Sequence, residues 1–143
     1  MHRRRTDWQC RLDSFLRQNQ HRQFAYGRWD GCLFVADAIF EMIGVDVAAS
    51  FRGKYSSARG ALQAIREGTG TSSVRSAAEQ TASLHCMPEI PASHAQRGDM
   101  VLIERGRCHS LGLVALNGRE IVLVSKRGIW RLPIAFAAKA WQV

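Results

Sequence analysis

Apolar residues recur at Trp8, Leu12, Phe15 and Leu16, the spacing of one helix face, and predict a helix that runs to about Asn19. Thr6, with Gln9 three residues on, reads as its capping box. A polar link over 20–23 leads into Phe24-Ala25-Tyr26-Gly27, where two aromatics before a glycine suggest a packed, irregular approach to the next helix. Asp30 is placed to cap that second helix by accepting from the free amides of its first turn. Leu33, Phe34, Ala36, Ile39, Phe40 and Ile43 make it apolar nearly all round, so it should be central, with Gly44 as its stop. A serine in Tyr55-Ser56-Ser57 heads a third helix through Ala58, Leu62, Ile65 and Arg66, halted by Gly68 and Gly70. A fourth, with a weaker apolar stripe, covers 73–84.

The pattern then changes. Residues 85–99 read as a loop carrying Pro88, Pro91 and the turn Arg97-Gly98-Asp99. Alternating or continuous apolar runs at 100–103, 111–116, 121–124 and 129–132 predict strands, and Asn117-Gly118 marks a tight hairpin. Residues 135–141 suggest a short final helix. Helices first and antiparallel strands afterwards give an α+β fold, with the sheet packed on the second helix.

At 143 residues, 46% apolar and 22% charged, the chain fits one domain over 1–143. It divides into a basic arm (1–5), a helical half (6–84), a connecting loop (85–99) and a sheet half (100–143). Residues 8–22 mix apolar with charged side chains and do not read as the apolar core of an export signal. The apolar run 32–45 is broken by Asp37 and Glu41 and is too short for a bilayer, so the chain is expected to be made in the cytoplasm with no membrane partner. Cys10, Cys32, Cys86 and Cys108 form no paired-cysteine motif, and neither a metal nor another cofactor is expected. His85-Cys86 and Cys108-His109 could build a metal site only if folding brought them together. The net charge of +8 favours acidic partners, yet it is spread through every segment and matches no nucleic-acid recognition motif. Nucleic acid is therefore not expected as a specific ligand.

Asp30-Gly31-Cys32 puts a thiol at the start of the central helix. About seventy residues later come Arg97-Gly98-Asp99-Met100-Val101-Leu102-Ile103 and Cys108-His109-Ser110-Leu111-Gly112-Leu113-Val114. Together these segments resemble NlpC-type papain-fold cysteine peptidases. The chain is most similar to a branch of small proteins encoded in phage tail gene clusters, through Tyr26-Gly27, Gly44-Val45-Asp46, Arg52-Gly53-Lys54-Tyr55, the Ala-rich stretch 58–65 and Ala140-Trp141. The resemblance implies a papain-like domain with a thiolate at a helix N-terminus. There the helix dipole lowers the thiol pKa, and an imidazole on a facing strand works with it.

The resemblance also places the nucleophile directly after the aspartate, which is Gly31 here, and the histidine two residues before a glycine, which is Ser110. Cys32 comes one residue late, a turn of about 100° on a helix. His109 comes one residue early, which on a strand moves it to the opposite face. A two-residue turn at Asn117-Gly118 would pair Leu116 with Arg119, set Ser110 opposite Ser125 and set His109 opposite Lys126. Gly31, Ser110 and Ser125 thus stand at the family's catalytic positions, and an inactive domain is expected. The implied role is structural, in a phage tail tip or baseplate, with hub, distal tail or tip proteins as partners and the virion tail as location. Candidate partner contacts are the arm Arg3-Arg4-Arg5, expected to order only on assembly, and Arg52, Lys54 and Tyr55. The alternatives are a murein peptidase using Cys32 and His109, and a basic nucleic-acid-binding protein.

Overall fold

The computed structural model describes residues 2–143; Met1, the first residue of the basic arm, lies outside them. The helices are α1 (Trp8–Gln18), α2 (Gly31–Ile43), α3 (Ala58–Thr69) and α4 (Val74–Leu84). They precede the strands β1 (Glu89–Ile90), β2 (Met100–Arg105), β3 (Cys108–Val114), β4 (Glu120–Ser125), β5 (Gly128–Pro133) and β6 (Ala137–Trp141). The strands form one antiparallel sheet in the order β1-β6-β2-β3-β4-β5. The chain is therefore α+β, with its N-terminal helices packed on a C-terminal sheet.

Helix α2 is the axis of the packing. Leu33, Phe34, Ala38, Ile39 and Met42 are wholly inaccessible to solvent, and removing each large side chain from water contributes roughly 1.5–3 kcal/mol. Phe15 of α1, Trp29 and Phe34 meet as a ring cluster with centroids 5.6 to 6.0 Å apart. Facing α2, the sheet presents Met100, Leu102, Leu111, Leu113, Val122 and Val124. Its other side carries a second cluster of Val101, Ile103, Val114, Ile121, Leu123 and Ala140. Strand alternation thus assigns each sheet residue to one of two faces.

Local signals end the helices largely where they should. Asp30, Ser57 and Ser73 each accept from an amide in the first turn of α2, α3 and α4, and Gly44 and Gly70 end α2 and α3 in the left-handed conformation. Gly68 does not stop α3, which runs through it to Thr69. The expected Thr6–Gln9 capping box does not form. Asp7 takes the cap position without a side-chain cap bond, because its carboxylate is turned to Arg11 one turn on, at 3.0 Å.

Two expectations fail in the sheet half. Residues 137–141 are a strand and not a helix, because β6 fits between β1 and β2, and the pairing overrides the helix preference of its alanines. The loop 85–99 contributes the two-residue strand β1 on the outer side of β6. The Asn117-Gly118 turn is wider than two residues. The Asn117 side-chain oxygen takes the amides of Arg119 and Glu120, so Leu116 and Arg119 do not pair; the ladder pairs, Leu113–Val122 and Val114–Ile121, keep the register that the expected turn implies. Beyond Leu113 no further pair forms, although Gly112 still lies close against Ile121 and Val122.

The basic arm is docked, contrary to its expected order only on assembly. Arg4 donates to the Val143 carbonyl at 2.8 Å, the Arg97 carbonyl at 2.7 Å and the Asp99 carboxylate at 2.7 Å. Its guanidinium also lies 4.3 Å from the centre of the Trp8 ring. Asp99 is 2% exposed, and burial holds its carboxyl above the usual range although Arg4 and the amides of Gln96 and Val143 oppose this. A buried carboxylate of this kind needs its cation, which is why Arg4 folds inward.

Candidate functional site

The start of α2 is organised by Asp30. One carboxylate oxygen accepts from the Leu33 amide at 2.9 Å, and the other accepts from the Gly27 amide at 3.0 Å and from the Tyr55 hydroxyl. Gly27 has φ +82°, and a side chain there would collide with the Tyr55 carbonyl oxygen. The Gly53 amide donates back to the Gly27 carbonyl at 3.0 Å. One buried carboxylate therefore clamps the Tyr26-Gly27 segment, the 52–55 loop and the helix start together.

Arg52 anchors the same loop from its other side. It reaches Asp37 of α2 at 2.7 Å and holds Asp46 through bonds of 2.9 and 3.1 Å. The Asp46 carboxyl is held below its usual range, chiefly by the Arg52 hydrogen bond. Of the loop residues expected to meet a partner, Arg52 and Tyr55 are half-buried and engaged by Asp37, Asp46 and Asp30, and Lys54 is exposed. In the basic arm Arg3 is the exposed residue, while the Arg5 guanidinium lies 5.8 Å from the Phe40 ring centre.

Gly31 directs its missing side chain at the sheet, where a Cβ would sit 3.5 Å from the Val124 carbonyl oxygen. Cys32 packs partly buried against the core. Burial, and then the neighbouring Asp30 charge, push its thiol up to about 12. A helix N-terminus ordinarily stabilises a thiolate. Here loss of hydration and a nearby carboxylate outweigh that effect.

The strand side corrects the expected facing. His109 shares alternation with Leu111 and Leu113, which belong to the cluster facing α2, so it lies on the helix side of the sheet. Ser110 alternates with Val114, and Ser125 with Ile121 and Leu123, all of the second cluster; these serines belong to the other face. They do not pair, since the β3–β4 ladder stops short of them. The Ser125 hydroxyl accepts from the Arg127 amide at 3.2 Å.

His109 is likewise not paired with Lys126. Its strand partner is Glu104 of β2, with 3.8 Å between Nε2 and the carboxylate. Glu104 leads into a line of charges: Arg75 at 3.1 Å, Glu79 at 2.9 Å from Arg75, and Lys139 bound to Glu79 at 3.1 Å and to Glu89 at 2.7 Å. Glu104 was legible in principle, because a two-residue Gly106-Arg107 turn sets Arg105 opposite Cys108 and hence Glu104 opposite His109.

Cys32 and His109 nevertheless line one cleft of about 440 Å³ between α2, α3, α4 and the ends of β3 and β4. Ser110, Ser125 and Lys126 also border it. No hydrogen bond joins Cys32 to His109 among the described residues. Cys10, Cys86 and Cys108 are exposed thiols, and no group of three or more metal-binding side chains converges among the described residues. No described helix is long and apolar enough to cross a membrane. A family model described as a domain of unknown function, DUF6950, matches residues 3–143. No curated protein matches the chain.

Proposed function

We propose that this chain, which belongs to the DUF6950 family, is a structural component of a phage tail tip or baseplate, built on an NlpC-type fold without peptidase activity. The order of elements, helices first with α2 central and an antiparallel sheet after, supports the NlpC-type reading. The observation that carries the loss of catalysis is Cys32. Its thiol is held protonated by burial and bonded to no imidazole, and glycine stands at the position before it. The Asp30 corner then serves as a joint that fixes the 52–55 loop to the domain, and hub, distal tail or tip proteins are the proposed partners.

Two measurements test this. Purified murein incubated with the protein should release no peptide at any pH. The chain should be found by mass spectrometry in purified tails of the phage that encodes it. Its recovery only in the soluble lysate would overturn the tail assignment.

One observation favours the peptidase alternative, namely that Cys32 and His109 share a cleft. In that case murein releases peptide, iodoacetamide stops the release, and Cys32→Ala abolishes it.

A further inference from the structure

The cleft beside Cys32 is lined mostly by apolar side chains. Helix α3 lies over it with a single buried residue, Ile65. Helices α3 and α4 line it with Ala61, Ala77 and Ala78 beside the larger Leu62, Ile65 and Val74. Small side chains between helices leave space, and about 440 Å³ is within the range of ligand pockets, roughly 300–1,000 Å³.

Few charged groups line the cleft: Asp30 is tied to the Gly27 and Leu33 amides and the Tyr55 hydroxyl, and Lys126 is the one lysine or arginine among the lining residues, with His109 beside it. Lys126 also borders a second, basic cleft that shares Phe24 with the first and includes Arg22 and Arg127. Lys126, Arg127 and Arg22 have no carboxylate within ion-pair distance among the described residues. The apolar cleft thus adjoins cations that no carboxylate pairs, Lys126 and Arg22 lying over the Tyr26 and Trp29 rings.

We propose that this cleft binds a single-chain anionic amphiphile, with its hydrocarbon chain under α3 and its carboxylate or phosphate head at Lys126 and Arg127. The site stands independently of the tail assignment and of any peptidase activity. The chain is recognised by burial of apolar surface, the head by charge, and neither part requires the Cys32 thiol to react.

Isothermal titration of the full chain with laurate, kept below micelle formation, tests the site. One laurate binds per protein. Affinity falls about fourfold for each methylene removed, hence roughly two-hundredfold between laurate and octanoate. Dodecanol, with the same chain and no charge, binds about tenfold more weakly. Dodecyl phosphate binds as well, and whichever of the two anions is tighter identifies the head group. Ala61→Phe, which fills the chamber, abolishes binding, and the double variant Lys126→Glu with Arg127→Glu weakens it at least tenfold. Absence of saturable binding by both anions overturns the proposal. So does binding of several laurates per chain, or binding unchanged in Ala61→Phe, since both are adsorption to a basic surface. Should Ala61→Phe fail to unfold cooperatively on heating, the chain-length series on the unaltered protein decides alone.

Discussion

Alkylation of Cys32 by iodoacetamide measures directly whether the thiol at the start of α2 is poised for chemistry. With its pKa pushed up to about 12, roughly three in 10⁵ Cys32 thiols are ionised at pH 7.5, against about one in ten for a free thiol near 8.5. That is a deficit of about three thousandfold. A more basic thiolate is a better nucleophile, and a Brønsted slope of about 0.45 over this shift returns roughly fortyfold. The net expectation is reaction about seventyfold slower than a free cysteine, before steric protection adds to it. Cys10, Cys86 and Cys108 are exposed and serve as references in the same tube. A quenched time course followed by peptide mapping should show those three modified first. The rate at Cys32 should climb about tenfold per pH unit from pH 8 to 11 without a plateau. In guanidinium chloride the four should converge, which shows that the fold is what protects Cys32. Modification of native Cys32 as fast as the exposed thiols, or a plateau below pH 8, would refute the inference and return the peptidase.

Asp30→Ala strands the buried donors of Gly27, Leu33 and Tyr55 and should cost about 3–4 kcal/mol in urea unfolding, since a cap and charge-assisted bonds are lost together. Tyr55→Phe should cost about 1.5–2 kcal/mol. The double variant should fall short of their sum by about 1 kcal/mol or more, and strict additivity would mean that the two side chains act separately. Gly31→Ala meets only ordinary contact with the Val124 carbonyl oxygen, so its melting temperature should hold or rise, by up to about 1 kcal/mol in stability; a clear loss would show that the position is not open. The last expectation concerns alkaline pH. The folded Cys32 thiol ionises near 12 and the unfolded one near 8.5, so this contribution is complete below about pH 8.5 and drains away as the pH rises towards 12. Cys32→Ala should flatten the fall in urea stability between pH 8.5 and 10.5, and an unchanged slope would place its cause elsewhere.

What the amino-acid order disclosed depended on how far away each residue's partner lies. Asp30, Ser57, Ser73, Gly44 and Gly70 act on amides or carbonyls within one turn, and each does what its local pattern implies. Asp7 shows the limit of such patterns, because an equally local partner, Arg11, took the side chain that would otherwise have capped α1. Strand β6 was illegible for a different reason. Ala137–Trp141 has helix-forming alanines, and its state is decided by two neighbours, one of them the two-residue β1, that no window of sequence contains. The docked arm is the same case over a longer span. Arg4 answers a charge buried 95 residues away, at Asp99.

The catalytic corner combines both situations, and its two offsets proved physically unequal. On α2 the one-residue lag of Cys32 is real, because the vacant Gly31 position is the one that looks at the sheet. On β3 the one-residue lead of His109 has no such effect, because strand facing is set by which residues enter the core, and Leu111 and Leu113 put His109 on the helix side. The apolar pattern at 111 and 113 already carried that facing, whereas counting back from Gly112 inverted it. The serines at 110 and 125 alternate with the other face of the sheet and do not pair, although both border the cleft. The thiol itself is decisive. Burial overrides the helix dipole at Cys32, and the adjacent carboxylate that another site could use to orient a base is spent on Gly27, Leu33 and Tyr55. The aspartate beside Cys32 is the bolt that holds the loop, while His109 still lines the cleft.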